Sequence, residues 1–562
     1  MALLPIENVG AGGIVSDFKP YQLQPNQWSN GLNVEFSDGA VSKIEGYLEV
    51  MATCPIEPWH LGVYQEFDAS GKQALDGFYW IAFGMSEIYV HNKNTWTNIS
   101  RPGGYNTIEG SDWKVTQSGA LLIATNGVDV PQLWELDEDH RVTVDNTFID
   151  MPSWVNPDTN TEGETDLNCQ TISGFKNHIV ACNITRAFDA DPVNAIQDRM
   201  VKWSTQHGHY EEPKSWDVTN PDFDAGEYEL LDTPGPIVDT LPMGEVFMVY
   251  KTDSVVMMNY VGTPWIFSFK TLDPDTGILA KGAVTEFTGG HFFVSFADCY
   301  VNNGQSVTPI LTGKVRDQMF DNINGDHYDR IFCVTQPHYN EIWACYPTAD
   351  NDYCDRAMVW NYKENTFSFR ELPNITDAKL GVAPITTSTG EVDLTWDTID
   401  PDPSVPLVPW DSLTTMKWGS ITYDNVVTNL VMASPDSVKL FRDRIGQNND
   451  TSLMYAYVER TGVDFGDPSA VKYLRALWPK IETTAGSSPM KVYTAYQMAT
   501  DKAITWEGPF TFDPDTQSKI SVRATGKFVG FRFETTADTS WTMSGLELEY
   551  EPAGRRGSRV YA

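Results

Sequence analysis

Basic residues are scarce in this chain. It has 39 Lys and Arg against 76 Asp and Glu, a formal charge of −37. A field of that sign repels nucleic-acid phosphate and anionic lipid headgroups, so it excludes tight wrapping of DNA and adhesion to an acidic membrane surface. It does not exclude DNA passing nearby, since a weakly repulsive wall lets a duplex slide where lysines would hold it. The acidity also keeps a large surface soluble. Cysteine is sparse too. Cys54, Cys169, Cys182, Cys299, Cys333, Cys345 and Cys354 are odd in number and form no C-x-x-C pair. They make neither a disulfide framework nor a zinc site, and fit small buried apolar residues in a reducing compartment. The segment Met1 to Gly10 has no basic region followed by an apolar stretch, so no secretory signal is expected. No apolar run is long enough to span a bilayer, and a soluble protein without membrane insertion, made in a cytoplasm, is expected.

Helical periodicity is almost missing as well. With 42 Gly and 33 Pro most nascent helices are interrupted. Short runs of Val, Ile, Thr, Tyr, Phe and Trp alternate instead with Gly, Asn, Asp and Pro clusters, the pattern of many strands joined by tight turns. The length of 562 residues predicts two to four domains. Aromatic residues at 12% suit sheet faces and interfaces, where rings cover much area with few torsions.

One unit recurs: strand, polar turn, strand, with an aromatic on the return. Tyr89–His91 turns at Asn92-Lys93-Asn94 into Thr95-Trp96-Thr97. Leu133–Leu136 turns at Asp137-Glu138-Asp139 into Arg141–Val144. Val255–Asn259 returns as Trp265–Phe267, and Met358–Trp360 turns at Lys363-Glu364-Asn365 into Thr366–Phe369. Between them lie Trp203 to Trp216, with a polar loop, and Val301 to Ile310, with an Asn303-Gly304 turn. Spacings of about 40–65 residues match four-stranded propeller blades, and about six are expected between residues 50 and 400. An array of β-sandwiches gives the same hairpins. No fixed dipeptide repeats.

The expected fold is therefore all-β: a β-propeller of about six blades over 51–400, preceded by an arm and β-hairpin platform element at 1–50. The Pro-rich stretch Pro401–Pro409 marks a linker or insert, taken as 401–453, a possible tip element, with a second polar break at Gln447–Asp450. Strands at Leu477–Ile481, Met490–Met498, Lys519–Ala524, Phe528–Phe533 and Leu546–Tyr550 predict a C-terminal β-sandwich-like domain over 454–552. A basic tail, 553–562, carries Arg555, Arg556 and Arg559. It is either a solvated end or an arm that docks on an acidic neighbour or on DNA.

No catalytic, cofactor-binding or metal-ligating residue is assigned. His207-Gly208-His209 offers two imidazoles without a third spaced ligand. Asp321–Asp326 and Asp350-Asn351-Asp352 are rich in oxygen but lack the calcium-loop spacing, and Asx-turns account for them. There is no G-x-S-x-G and no P-loop. A sialidase-like propeller hydrolase would carry repeated Ser-x-Asp-x-Gly-x-Thr-Trp turns and an arginine cluster, whereas Asn94-Thr95-Trp96 keeps only the end of such a turn.

The N-terminus holds a compound motif: Gly12-Gly13-Ile14-Val15-Ser16-Asp17, then Pro20, Leu23 and Pro25, then Trp28-Ser29-Asn30-Gly31-Leu32-Asn33-Val34, Phe36-Ser37-Asp38-Gly39-Ala40-Val41 and Lys43-Ile44-Glu45-Gly46-Tyr47. It reads as a glycine-led arm, a Pro-bounded turn, a strand Leu32–Phe36, an Asp-Gly turn and a returning strand. This order resembles the start of podophage virion proteins known as tail nozzle, tail tubular protein B-like or packaged-DNA stabilisation proteins. Phe531-Arg532-Phe533-Glu534, Trp541–Gly545, Leu548-Glu549-Tyr550 and Gly554-Arg555-Arg556 resemble their closing strands. The resemblance implies a structural, non-enzymatic virion protein with no cofactor. It implies a homo-hexameric ring about the DNA channel, in contact with head-to-tail adaptor or portal proteins and tail fibres. Double-stranded DNA would pass through without sequence-specific binding. Alternatives are a receptor- or glycan-binding tail fibre module and the propeller hydrolase.

Overall fold

The second strand of each sheet explains the architecture. Leu121–Thr125 (LLIAT) is buried along its whole length. Its odd residues Leu121 and Ile123 join one apolar cluster, while Leu122 and Ala124 join another on the opposite face. His178–Phe188 repeats this, with Ile179 and Ala181 on one face and Val180 and Cys182 on the other. So does Val246–Lys251, with Phe247 and Val249 against Met248 and Tyr250. A strand with a side-chain period of two and apolar residues at every position must be covered on both faces. Each such sheet therefore lies between two neighbours.

The computed structural model describes residues 2–67, 73–92, 95–107, 113–135, 146–154, 164–188, 196–383, 428–483 and 489–552. Among them, seven sheets follow one another along the chain, antiparallel except where Asn449 pairs in parallel with Tyr47 in the last. Sheets 1 to 6 have four strands each in simple up-and-down order, and their first strands are His60–Phe67, Lys114–Ser118, Glu164–Phe175, Ile237–Met243, Val284–Phe287 and Phe332–Gln336. Sheet 7 is composite. Asp377–Gly381, Asn429–Ser434 and Lys439–Asp443 are followed in space by Tyr47–Glu49 from near the start of the chain, then by two short strands at Asn448–Asn449 and Ser452–Leu453. Apolar clusters fill each face-to-face gap. The gap between sheets 7 and 1 holds Val50, Leu61, Trp80, Val431 and Leu440.

The all-β expectation holds, and six four-stranded sheets lie between His60 and Ile375, with a seventh, composite sheet that reaches beyond residue 400. The additional sheet contains Leu430-Val431-Met432-Ala433, a buried run inside the stretch expected to be a linker. The expected turns at Asn303-Gly304 and before Thr366 are present, with Asn302 opposite Val307 and Trp360 opposite Phe367. The strand after Val255–Tyr260 begins at Phe267, slightly later than expected. Pro401–Pro409, Arg141–Val144 and the basic tail lie outside the described residues. No described helix is long and apolar enough to cross a membrane.

The two ends of the chain build a single sandwich. One sheet orders Val34–Ser37, Ala40–Lys43, Trp541–Pro552, Lys472–Thr483 and Ile520–Gly526, with Ala2–Glu7 also paired to Trp541–Pro552. The other orders Asn30–Leu32, Ala456–Val463, Phe528–Thr535, Met490–Gln497 and Thr505–Phe512. The C-terminal strands expected over 454–552 are all present, but they share both sheets with the N-terminal strands.

The expected strand Leu32–Phe36 is broken at Asn33, whose φ of 55° is left-handed. That corner moves the chain from one sheet of the sandwich to the other. Asn tolerates it better than most residues because its short side chain bonds locally. The Asp38-Gly39 turn has positive φ at both residues, 51° and 74°, as a two-residue hairpin of this hand requires. The sandwich packs on sheets 4 to 6 through one continuous apolar cluster that includes Phe36, Phe533, Tyr250, Phe292 and Phe367.

Candidate functional site

The first strands of all seven sheets surround one cavity of about 520 Å³. An innermost strand has one edge paired within its sheet and the other turned to this space, so polar side chains collect there. His60, Lys114, Ser173, Asp239, Thr335 and Asp377 line it, each from a different sheet, with Lys281 and Glu286 beside them.

Two buried carboxylates organise the wall. Asp239, on sheet 4, accepts hydrogen bonds from Lys114 Nζ of sheet 2 at 2.6 Å, from the Gly282 N–H leading into sheet 5 at 3.0 Å and from its neighbour Thr240 N–H at 2.7 Å. The Thr171 hydroxyl of sheet 3 lies at 3.4 Å. Burial pushes this carboxyl up, but the Lys114 ammonium and the backbone donors outweigh it and hold it below the usual carboxylate range.

Asp377, the first residue of sheet 7, accepts from His60 Nδ1 of sheet 1 at 2.8 Å, from Leu61 N–H at 3.0 Å and from Ala378 N–H at 2.8 Å. Lys379 Nζ lies 3.3 Å away. Burial again pushes the carboxyl up, and His60, Lys379 and the Leu61 N–H more than reverse it. Burial drives His60 the other way and disfavours its cation, so a neutral imidazole donating through Nδ1 fits the pair. Asp239 thus links sheets 2 to 5, and Asp377 links sheet 7 to sheet 1.

Uncharged pairs tie further sheets. Gln65 N–H donates to Gln117 Oε1 at 3.1 Å, and Gln117 Nε2 returns to Gln65 O at 2.7 Å, joining sheets 1 and 2. The Thr285 and Thr335 hydroxyls, 3.0 Å apart, join sheets 5 and 6. Such an arrangement holds charged groups rigidly in a confined space, which suits binding by fixed complementary charge.

The residues weighed for metal binding are placed differently. His207 Nε2 meets Ser118 Oγ at 3.0 Å, whereas the His209 ring packs edge-on against Phe67 at 4.8 Å. The two oxygen-rich loops lie side by side. Asn324 Nδ2 donates to Asn351 O at 2.8 Å, and Asn324 Oδ1 accepts Asp326 N–H at 3.0 Å in an Asx-turn. Among the described residues no group of three or more His, Cys, Asp or Glu converges as metal ligands.

The cavity residues escape a sequence search, because Asp239 and Asp377 are two of 76 acids with no distinguishing neighbours.

No family model matches the chain, and no curated protein matches it. Among solved structures, 229 chains match. The computationally designed Ika8 protein is 10% identical, with 77% of this chain and 99% of that chain covered and a TM-score of 0.33. A chain of a mitotic checkpoint complex is 9% identical, covering 72% and 94%, with a TM-score of 0.33. BBS1N, in a complex with ARL6DN, is 8% identical, covering 72% and 99%, with a TM-score of 0.35.

Proposed function

We propose that the seven sheets are the blades of a β-propeller and that the chain is a structural, non-enzymatic tail nozzle subunit of a short-tailed bacteriophage. In this reading six copies ring the DNA channel beneath the portal and adaptor, near the tail fibres. They retain the packaged genome and direct its ejection. The protein is made in the host bacterial cytoplasm and resides in the virion tail. Support for the propeller comes from the apolar packing between successive sheets, including 7 on 1, and from Tyr47–Glu49 completing the last sheet.

The observation that carries the functional reading is the meeting of the two terminal motifs. Trp28 packs edge-on against Phe531 at 5.8 Å, and the Ser29 hydroxyl donates to Glu459 O at 3.0 Å. Ser42 and Thr542 share a hydrogen bond of 3.0 Å. The segments that resemble nozzle proteins at opposite ends of the sequence are thus parts of one body, as a single inherited module would be. Rings with head-to-tail contacts need stiff, broad faces of this kind. The duplex would run between copies along the assembly axis. A cavity of about 520 Å³ inside one chain cannot admit a double helix whose major groove alone is about 12 Å wide.

Electron microscopy and mass measurement of the purified full chain, alone and mixed with portal and adaptor, test this. Sixfold rings with a central hole are expected. A chain that stays monomeric and never joins either partner overturns the reading.

A further inference from the structure

We propose that the cavity among the seven first strands is a binding site for a small molecule bearing phosphate or carboxylate groups, held by Lys114, Lys281 and Lys379. The charge balance of the lining opposes that of the molecule. The chain carries −37 overall. The cavity wall gathers four cations, Lys114, Lys281, Arg330 and Lys379, against three carboxylates, Asp239, Glu286 and Asp377.

The three lysines come from sheet 2, from the segment before sheet 5 and from sheet 7, so local sequence does not explain their meeting. Bringing ammonium groups around one confined space costs Coulomb energy that an anion offsets. Asp239 and Asp377 supply part of the compensation, but their oxygens are shared with backbone donors: Gly282 and Thr240 on the first, Leu61 and Ala378 on the second. Lys114 and Lys379 each approach one carboxylate, at 2.6 and 3.3 Å. An ammonium has three N–H donors, so donors remain for a ligand.

The volume lies within the roughly 300–1,000 Å³ usual for small-molecule sites. The wall is also preformed, because the carboxylates that position Lys114 and Lys379 are themselves fixed by the sheets. An oxyanion entering here meets oriented cations without reorganising the protein.

The test uses the full chain at low salt, with calorimetric titration of inorganic pyrophosphate, citrate and, as a neutral control, maltose. Saturable binding of pyrophosphate, citrate or both, at one site per chain, is expected. The two arms tell phosphate from carboxylate recognition. Lys281→Gln and, independently, Lys379→Gln are expected to weaken binding about tenfold, with circular dichroism confirming that each variant is folded. Lys480→Gln, at an exposed lysine of the sandwich, is expected to leave affinity unchanged. The proposal is overturned by no saturable binding of either anion up to about 10 mM. Maltose binding as tightly as the anions overturns it too, as does a loss at Lys480→Gln equal to that of the cavity variants.

Discussion

Asn33 and Glu371 grip each other across 338 residues of sequence: Asn33 Oδ1 accepts the Glu371 N–H at 2.8 Å, and Asn33 Nδ2 donates to Glu371 Oε2 at 3.1 Å. The same amide donates to Tyr455 O at 2.8 Å. One buried side chain at the corner between the two sandwich sheets therefore also fastens the sandwich to the outer strand of sheet 6. Asn33→Ala removes these bonds and puts a Cβ-only side chain at a left-handed φ. A loss of about 2–4 kcal/mol is expected in urea unfolding. Asn33→Gly, which relieves the backbone but not the bonds, should recover about 1 kcal/mol of it.

Arg444 is a second fastening. Its guanidinium reaches Glu35 of the sandwich at 2.7 Å and Glu341 of sheet 6 at 2.9 Å, and lies 3.7 Å from the centre of the Tyr339 ring. Burial pushes the Glu35 carboxyl up even with Arg444 in place. Arg444→Ala strands the buried carboxylate of Glu341 and the half-buried one of Glu35, and should cost about 3 kcal/mol. Calorimetry should show the melting temperature fall. Arg444→Lys should restore little, since an ammonium cannot serve both carboxylates as a planar fork does.

Acid sensitivity should centre on His291. Its Nε2–H donates to Pro242 O at 3.1 Å, and its Nδ1 accepts from the Tyr250 hydroxyl at 2.9 Å, which in turn accepts from Asn302 Nδ2 at 3.1 Å. Burial is the main cause that takes the imidazole down to about 4. In the unfolded chain a histidine titrates near pH ~6.5. Between these values the unfolded state holds the extra proton, so stability falls as pH drops through that window, by about 3 kcal/mol in all. Melting temperatures measured from pH 7 to pH 4 should show the decline, and His291→Gln should flatten it.

Trp28 tests the N-terminal motif. The indole is buried at 3% exposure, and its Nε1–H donates to Val9 O at 2.7 Å. Trp28→Ala should cost about 3–5 kcal/mol by opening a cavity in the sandwich. Trp28→Phe keeps most of the packing and should lose little beyond the hydrogen bond, about 1 kcal/mol. Thermal denaturation of the two variants gives the comparison.

Turn chemistry and apolar alternation are local, and they were legible. Asp38-Gly39, Asn303-Gly304 and the strand Phe528–Thr535 lie where their residues predict. The number of sheets was less accessible, because polar turns signal hairpins but not which hairpins share a sheet. The better guide was the buried second strand, Leu121–Thr125 or Asn429–Ser434, whose unbroken apolar run demands cover on two faces. Partnerships far apart in sequence left no trace of this kind. Nothing about Tyr47-Leu48-Glu49 announces that it pairs with Lys439–Asp443, and nothing about Asp377 announces His60.

The braiding of both ends has a consequence for biosynthesis. Ala2–Glu7 must wait for Trp541–Pro552, and Tyr47–Glu49 for Lys439–Asp443, before either finds its hydrogen-bonding partner. On a ribosome adding about 5–20 residues per second, the leading segment stays uncommitted for roughly half a minute or more while the intervening sheets are made. Its apolar residues, Trp28 and Phe36 among them, have no completed sandwich to enter during that interval. Translation of the last strand is then the event that admits the first, and a product that stops before Trp541 lacks the strand that joins Ala2–Glu7 and Ala40–Lys43 to Lys472–Thr483, so one sheet of the sandwich cannot close up.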